Sequence, residues 1–358
     1  MKIQPLRYQR GFTLIELMIS LVLGLLVVAG VIGLFLSNKQ VYRQNENLAR
    51  MQESARYAFE VMARDLREAG AIACNSNLPV ANVLNGASSN WWSNWGDGIR
   101  GYENNDNTFP KAFDTGSNVA ANRAPGTDAV IIWSGTLEDG VYITDHNPPS
   151  AQFKVNTTAH GFKDGDILMV CDSKQAAIFQ VTNANSSNVT IVHNTGNTVS
   201  PGNCSKYLGF PVPAGCGSPP NPEPPAHAFE NGGFISKLTA HAWYIGCNGR
   251  AACSDPGGRS LYRLILQNTS GTAGVTSEEL AEGISDLQIE YLTRDASGTL
   301  ASQYDAAAAV TDWKNVVAAR LIFTFQTLER VGTNTQAISR NWYTVVSLRN
   351  RMPSTTPP

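Results

Sequence analysis

The sequence predicts an α+β chain, with one long amino-terminal helix followed by a large head of mainly antiparallel strands. Three observations carry this reading. Residues 17–37 form an uncharged run of mostly Leu, Val, Ile and Gly. No proline separates that run from an amphipathic stretch reaching residue 69. Beyond it, short apolar or alternating runs are divided by Gly, Asn, Ser and Pro turns.

The apolar run is just over 20 residues long, enough at about 1.5 Å per residue to cross the hydrocarbon core of a bilayer. A secretory signal peptide would need an apolar region of about 7 to 15 residues and a small-x-small cleavage site. This run is too long, and Ser37-Asn38-Lys39 supplies no such site. A plain signal anchor would account for Lys2, Arg7 and Arg10 staying cytoplasmic, but not for Glu16 at the entrance of the run. Ser20 and Gly24, and Ala29 and Gly33, put small residues on one face, which lets helices approach closely in lipid; glycine is also simply common in membrane helices.

Leu48, Met51, Ala55, Phe59, Met62, Leu66 and Ala69 follow at steps of three and four. Arg50, Glu53, Arg56, Glu60, Arg64 and Glu68 take the other faces. Glu60 precedes Arg64 in the favourable order for a surface pair, and Gly70 is placed to cap the end. A continuous helix from Phe12 to Ala69 would be about 87 Å long. Its single apolar face suits docking on a sheet, whereas a coiled-coil stalk would show sustained heptads.

Residues 71–124 read as loops with short strands. Trp91, Trp92 and Trp95 either pin this loop to the body or form a sugar-binding platform. Strands are expected at 127–133, 140–144, 166–170, 177–182, 235–245, 260–267, 287–292, 315–326 and 341–349, with a short helical turn at 277–283. In 315–326, Val317, Ala319, Leu321, Phe323 and Phe325 point one way and should meet the helix stripe. The Pro-rich stretch 211–225 is an exposed loop.

The whole chain has 27 basic and 29 acidic residues, and loss of the three basic residues before Gly11 leaves it more acidic. That balance does not suggest nucleic-acid binding. All six cysteines lie beyond the apolar run, where an oxidising compartment favours three disulfides. Proximity in sequence pairs Cys247 with Cys253 and Cys204 with Cys216, leaving Cys74 with Cys171. No Cys-x-x-Cys pair argues for a metal. Asp164, Asp166 and Asp172 lack EF-hand spacing, and Lys163-Asp164-Gly165-Asp166 reads as a tight turn. The histidines His146, His160, His193, His227 and His241 are scattered, and neither a Gly-x-Ser-x-Gly elbow nor a phosphate loop is present. No catalytic residue, cofactor or metal site is therefore expected; a membrane-anchored enzyme or sugar-binding module is the alternative from another class.

The string Gly11-Phe12-Thr13-Leu14-Ile15-Glu16-Leu17 resembles the type IV prepilin signature. The resemblance implies that a prepilin peptidase cuts after Gly11 and that Phe12 becomes the methylated amino terminus. It makes Glu16 the assembly carboxylate. Ala63-Arg64-Asp65-Leu66-Arg67-Glu68-Ala69-Gly70 before Cys74, Gly126-Thr127-Asp128, Ser260-Leu261-Tyr262-Arg263 and Val345-Val346-Ser347-Leu348-Arg349-Asn350-Arg351, in that order, resemble the PilW family of minor pilins. The J-type pseudopilins of type II secretion are the near alternative. The PilW resemblance implies a type IV pilin-like fold, with a leader at 1–11, a transmembrane half-helix at 12–37, an amphipathic half at 38–70, an extracytoplasmic head at 71–352 and a disordered tail at 353–358. It further implies a bacterial inner-membrane protein whose head is periplasmic, partnered by other minor pilins, the major pilin, a tip adhesin and membrane lipid. Such a protein would prime fibre assembly and remain at the tip.

Overall fold

The computed structural model describes residues 11–75, 78–135, 140–196, 198–212, 223–295 and 297–351. The helix α1 (Leu14–Glu68) runs unbroken for 55 residues, about 82 Å. Its interior contains no proline; the Leu residues of its amino-terminal half favour helix, while the Val, Ile and Gly among them are weaker helix formers. It ends at Ala69 and Gly70, where a φ of +70° favours glycine. Met51, Ala55, Met62 and Leu66 of the expected stripe are buried, together with Ala58 and Ala63; Phe59 is half-buried with its ring 5.0 Å from that of Phe323. The ion pair along the outer face is Glu46–Arg50 (2.7 Å) rather than Glu60–Arg64. Such exposed pairs contribute only a few tenths of a kcal/mol, so little fixes which one forms.

The strands are β1 (Val80–Asn82), β2 (Ile99–Tyr102), β3 (Ala129–Ser134), β4 (Ile143–Asn147), β5 (Gln152–Val155), β6 (Ile167–Cys171), β7 (Ala176–Gln180), β8 (Asn183–Ala184) and β9 (Thr190–Val192). The second half adds β10 (Phe234–Lys237), β11 (Thr239–Cys247), β12 (Arg259–Thr269), β13 (Thr272–Glu282), β14 (Ile284–Thr293), β15 (Asp305–Ala306), β16 (Val316–Gln326) and β17 (Ser339–Ser347). They form sheets ordered β13-β12-β11-β3-β2, β15-β14-β16-β17, β1-β7-β6-β10 and β4-β5-β9-β8. The pairings are antiparallel apart from β1 with β7.

Three cores stack outward from the helix. The first lies where α1 meets the five-stranded sheet and the β14-β16-β17 strands, and it contains Trp243, Leu287, Leu321, Phe323 and Phe325. The second fills the space between the far face of the five-stranded sheet and β6-β7, with Ile131, Trp133, Met169, Ile178 and Tyr244. The third separates β6-β7 from the outermost sheet through Leu168, Val170, Phe179 and Phe153. Successive residues of β3, β6 and β7 thus enter different cores, which is why these strands read as unbroken apolar runs.

Two expectations are corrected. Residues 277–283 are not a helical turn, because 277–282 are the second half of β13, paired along β12 after a two-residue turn with positive φ at Ser270 and Gly271. Glu278 is held across the ladder by Arg263 at 2.9 Å and Glu279 by Arg250 of the loop after β11, and tertiary pairing overrides their helix propensity. The single strand expected at 235–245 is two strands in different sheets. β10 pairs with β6, and after Leu238 the chain crosses to pair β11 with β3 and β12.

Polar contacts fix the helix on this body. Asp65 Oδ2 lies 2.5 Å from His241 Nδ1, accepts from Trp243 Nε1 at 2.9 Å, and stands 3.6 Å from Arg263 Nη1. Two turns above the apolar half, Arg43 pairs with Glu329 (2.6 Å), Gln44 donates to the Val331 carbonyl (2.6 Å), and Asn47 Oδ1 accepts from the Glu329 amide (3.3 Å).

Asp128 joins the two sheets beneath the helix. Its amide donates to the Leu287 carbonyl and its Oδ2 accepts from the Ile289 amide, both at 2.9 Å. Burial pushes its carboxyl up to about 7, against the Ile289 bond, which favours the charge. An acid raised in the folded state withholds stability as pH climbs from the unfolded value near 4 to the folded value. Asp128→Asn keeps an acceptor for Ile289. Relative to the parent, its stability should rise by up to about 4 kcal/mol between about pH 4 and pH 7 and stay level above. Urea unfolding across that window measures the difference, and a flat difference would refute the assignment.

Candidate functional site: the exposed half of the helix

The helix begins with Thr13 as its cap, in an extended conformation. The Thr13 hydroxyl and carbonyl oxygens both accept from the Glu16 amide, at 3.4 and 3.1 Å, and the carbonyl also accepts from Leu17 at 3.2 Å. Glu16 therefore occupies the third helical position, where the dipole of the first turn favours a carboxylate by a few tenths to about 1 kcal/mol. Thr13-Leu14-Ile15-Glu16 has the Thr-x-x-Glu spacing of a capping box. That spacing was visible in the sequence, and it explains why the helix starts at Leu14 and not at Phe12. Ser20 Oγ donates to the Glu16 carbonyl at 2.7 Å.

From Phe12, 82 % exposed, to Leu36, the large apolar side chains stand free of the body. A Cβ added at Gly24, Gly30 or Gly33 would meet nothing within 4 Å. The helix is long and apolar enough to cross a membrane, and its most apolar stretch is wholly unburied. A contiguous apolar surface of this length needs lipid or other helices to cover it. Gly11 and Phe12 precede the helix and are exposed; residues 1–10 lie outside the described residues.

The other predicted positions are not gathered at this end. Cys74 is bonded to Cys171 with Cα atoms 5.9 Å apart, and Cys247 to Cys253 with Cα atoms 5.1 Å apart. Cys204 is also disulfide-bonded, while its expected partner Cys216 lies outside the described residues, as does most of the Pro-rich stretch and the tail 353–358. Trp92 is buried and Trp91 and Trp95 are half-buried against the second core, with the Trp91 carbonyl accepting from Trp133 Nε1 at 3.1 Å. These three hold the 86–98 loop to the body.

The three aspartates go separate ways. Asp166 closes the Lys163 turn and accepts from Asn268 at 2.7 Å, Asp172 accepts from the amides of Lys174 and Gln175 and contacts His227 at 2.7 Å, and Asp164 accepts from the Ala184 amide. His146 and His193 sit among Phe153, Phe179 and Phe229; burial pushes them down to about 4 and about 3, so both are neutral packing groups near pH 7.

The two described disulfides close loops of very different size, with sequence separations of 97 and 6 residues. Loop-closure entropy assigns about 4.7 kcal/mol to a loop near 100 residues and about 2 kcal/mol to the short one. Replacing Cys74 and Cys171 by Ser should therefore cost about 2.5 kcal/mol more than replacing Cys247 and Cys253. Denaturant unfolding of the two double variants decides this, and equal losses would contradict it.

Residues 6–32 match the family model described as the prokaryotic N-terminal methylation motif. Residues 243–351 match that of the type IV pilus-assembly protein W, covering β12 to β17 and most of β11. No curated protein and no solved structure matches the chain. With the methylation motif at the exposed end of the helix and the pilus-assembly match in the half of the head that carries strands against it, the two matches together support a PilW-like minor pilin associated with the type IV pilus.

Proposed function

We propose that a prepilin peptidase cuts after Gly11, that Phe12 becomes the methylated amino terminus, and that Glu16 pairs with the freed amine of a neighbouring subunit. On this reading the protein joins other minor pilins and the major pilin in a complex that primes the fibre and stays at its tip, with its head in the periplasm. The observation that carries it is the placement of Glu16. It is the only charged residue between Arg10 and Lys39, on a helix surface left exposed among the described residues. A carboxylate deep in lipid costs about 2.5 to 3.5 kcal/mol, less near a helix end. A capped first turn offsets part of this, and an amine in the low-dielectric interior of a helix bundle offsets the rest. Pairing within one subunit would also neutralise the charge, but only pairing between subunits sets a register. Pilus assembly is a structural role and needs no catalytic group.

Glu16→Ala should insert and be cut normally, yet recover partner minor pilins about tenfold or more less well, the loss expected for one charge-assisted bond. Gly11→Val should insert and stay uncut. Mass spectrometry of the amino terminus and co-purification from membranes measure both. Normal partner recovery and normal fibres with Glu16→Ala would overturn the role of the carboxylate, and a normally processed Gly11→Val would overturn the cleavage site.

A further inference from the structure

A cleft of about 480 Å³ opens at the carboxy-terminal end of α1, far from the exposed half of the helix, and its walls include Trp95, Asp97, Arg294, Lys314 and Arg351. Its charge is lopsided, with three cations and one carboxylate. Asp97 stands 3.8 Å from Lys314, and among the described residues neither Arg294 nor Arg351 has a carboxylate within 4 Å. Arg351 is 9 % exposed and is placed with care. Its Nη1 donates to the Trp313 carbonyl at 3.1 Å, and its guanidinium lies over Gly70 and Gly98, both with positive φ. A Cβ on Gly70 would come within 2.9 Å of Nε; one on Gly98 would strike the Gly70 backbone first, at its Cα, and would lie 3.1 Å from Nη2. Gly70 thus makes room for the buried cation, and Gly98 for the Gly70 backbone beneath it. Burial disfavours its charge and Arg294 adds to that, while Asp97 and Asp312 oppose it. A buried guanidinium at the edge of an open cleft, with no carboxylate within 4 Å among the described residues, is a costly arrangement for stability alone.

We infer that this cleft binds an acidic saccharide, with Arg294 and Arg351 holding a sugar carboxylate and Trp95 walling the ring. The volume falls in the range of small-ligand sites. Planar guanidinium forks match a carboxylate with two parallel hydrogen bonds, and a half-buried indole offers an apolar face of the kind that packs on a sugar ring. The site is independent of Glu16 and of the assembly role. It would let the head recognise a uronate-bearing polysaccharide, whether shed or attached to a surface.

Calorimetric titration of the full mature chain in detergent with trigalacturonate, maltotriose and inorganic phosphate tests this. Trigalacturonate should bind in a salt-sensitive manner, maltotriose should not, and phosphate should bind about tenfold more weakly. Arg294→Gln should weaken trigalacturonate binding by about tenfold with an unchanged melting temperature. Lys314→Gln, at an exposed side chain, gives a second reading of the same loss should Arg294→Gln not fold. Absence of trigalacturonate binding, equal binding of maltotriose or phosphate, or full binding by both folded variants would overturn the inference.

Discussion

The structure depends on one carboxylate set into the seam between helix and head. Asp65 has three partners, and they come from two adjacent strands: His241 and Trp243 lie two apart on one face of β11, and Arg263 is the register partner of Trp243 on β12. The Arg263 guanidinium lies 5.3 Å from the Trp243 ring centre and is held from its other side by Glu278. A helix packed by apolar side chains alone can slide or roll by small steps at modest cost. A carboxylate with donors on two strands has one position. It is 12 % exposed, so the bonds are made where water competes weakly.

With rotation and height set there, the rest of the helix surface divides cleanly. Small residues at Ala55, Ala58 and Ala63 bring the backbone close to the sheets, and Phe59 fills the space against Phe323 and Phe325. The contacts of Arg43, Gln44 and Asn47 with residues 329–331 close the lower rim. Below that rim the large apolar side chains from Phe12 to Leu36 are exposed among the described residues, a surface suited to lipid or other helices.

Much of this was legible in the residues. The helix stripe and the alternation of 315–326 could be read because each repeats with a period that has one structural meaning, and the two faces do meet. Asp65 could not be singled out, since a lone acid on an amphipathic helix reads as solvated until Trp243 and Arg263 are folded against it from far along the chain. The split at Leu238 left no mark either, because a strand that crosses between buried sheets needs neither Gly nor Pro. The Glu-rich end of β13 misled through its helix propensity. The cationic cleft was hidden for the same reason as Asp65: Arg294, Lys314 and Arg351 come from separate segments, and each alone looks like a surface charge.

The claim that helix and head form one body fixed at Asp65 is tested most directly by hydrogen exchange on the mature chain and its Asp65→Ala variant. The variant should lose about 2 to 4 kcal/mol, from leaving the donors of His241, Trp243 and Arg263 without their acceptor. Protection should fall first in the amides of residues 47–68, while β11 and β12 retain theirs. Unchanged protection of the helix, with stability within about 0.5 kcal/mol of the parent, would show that apolar packing alone holds it and would contradict the account.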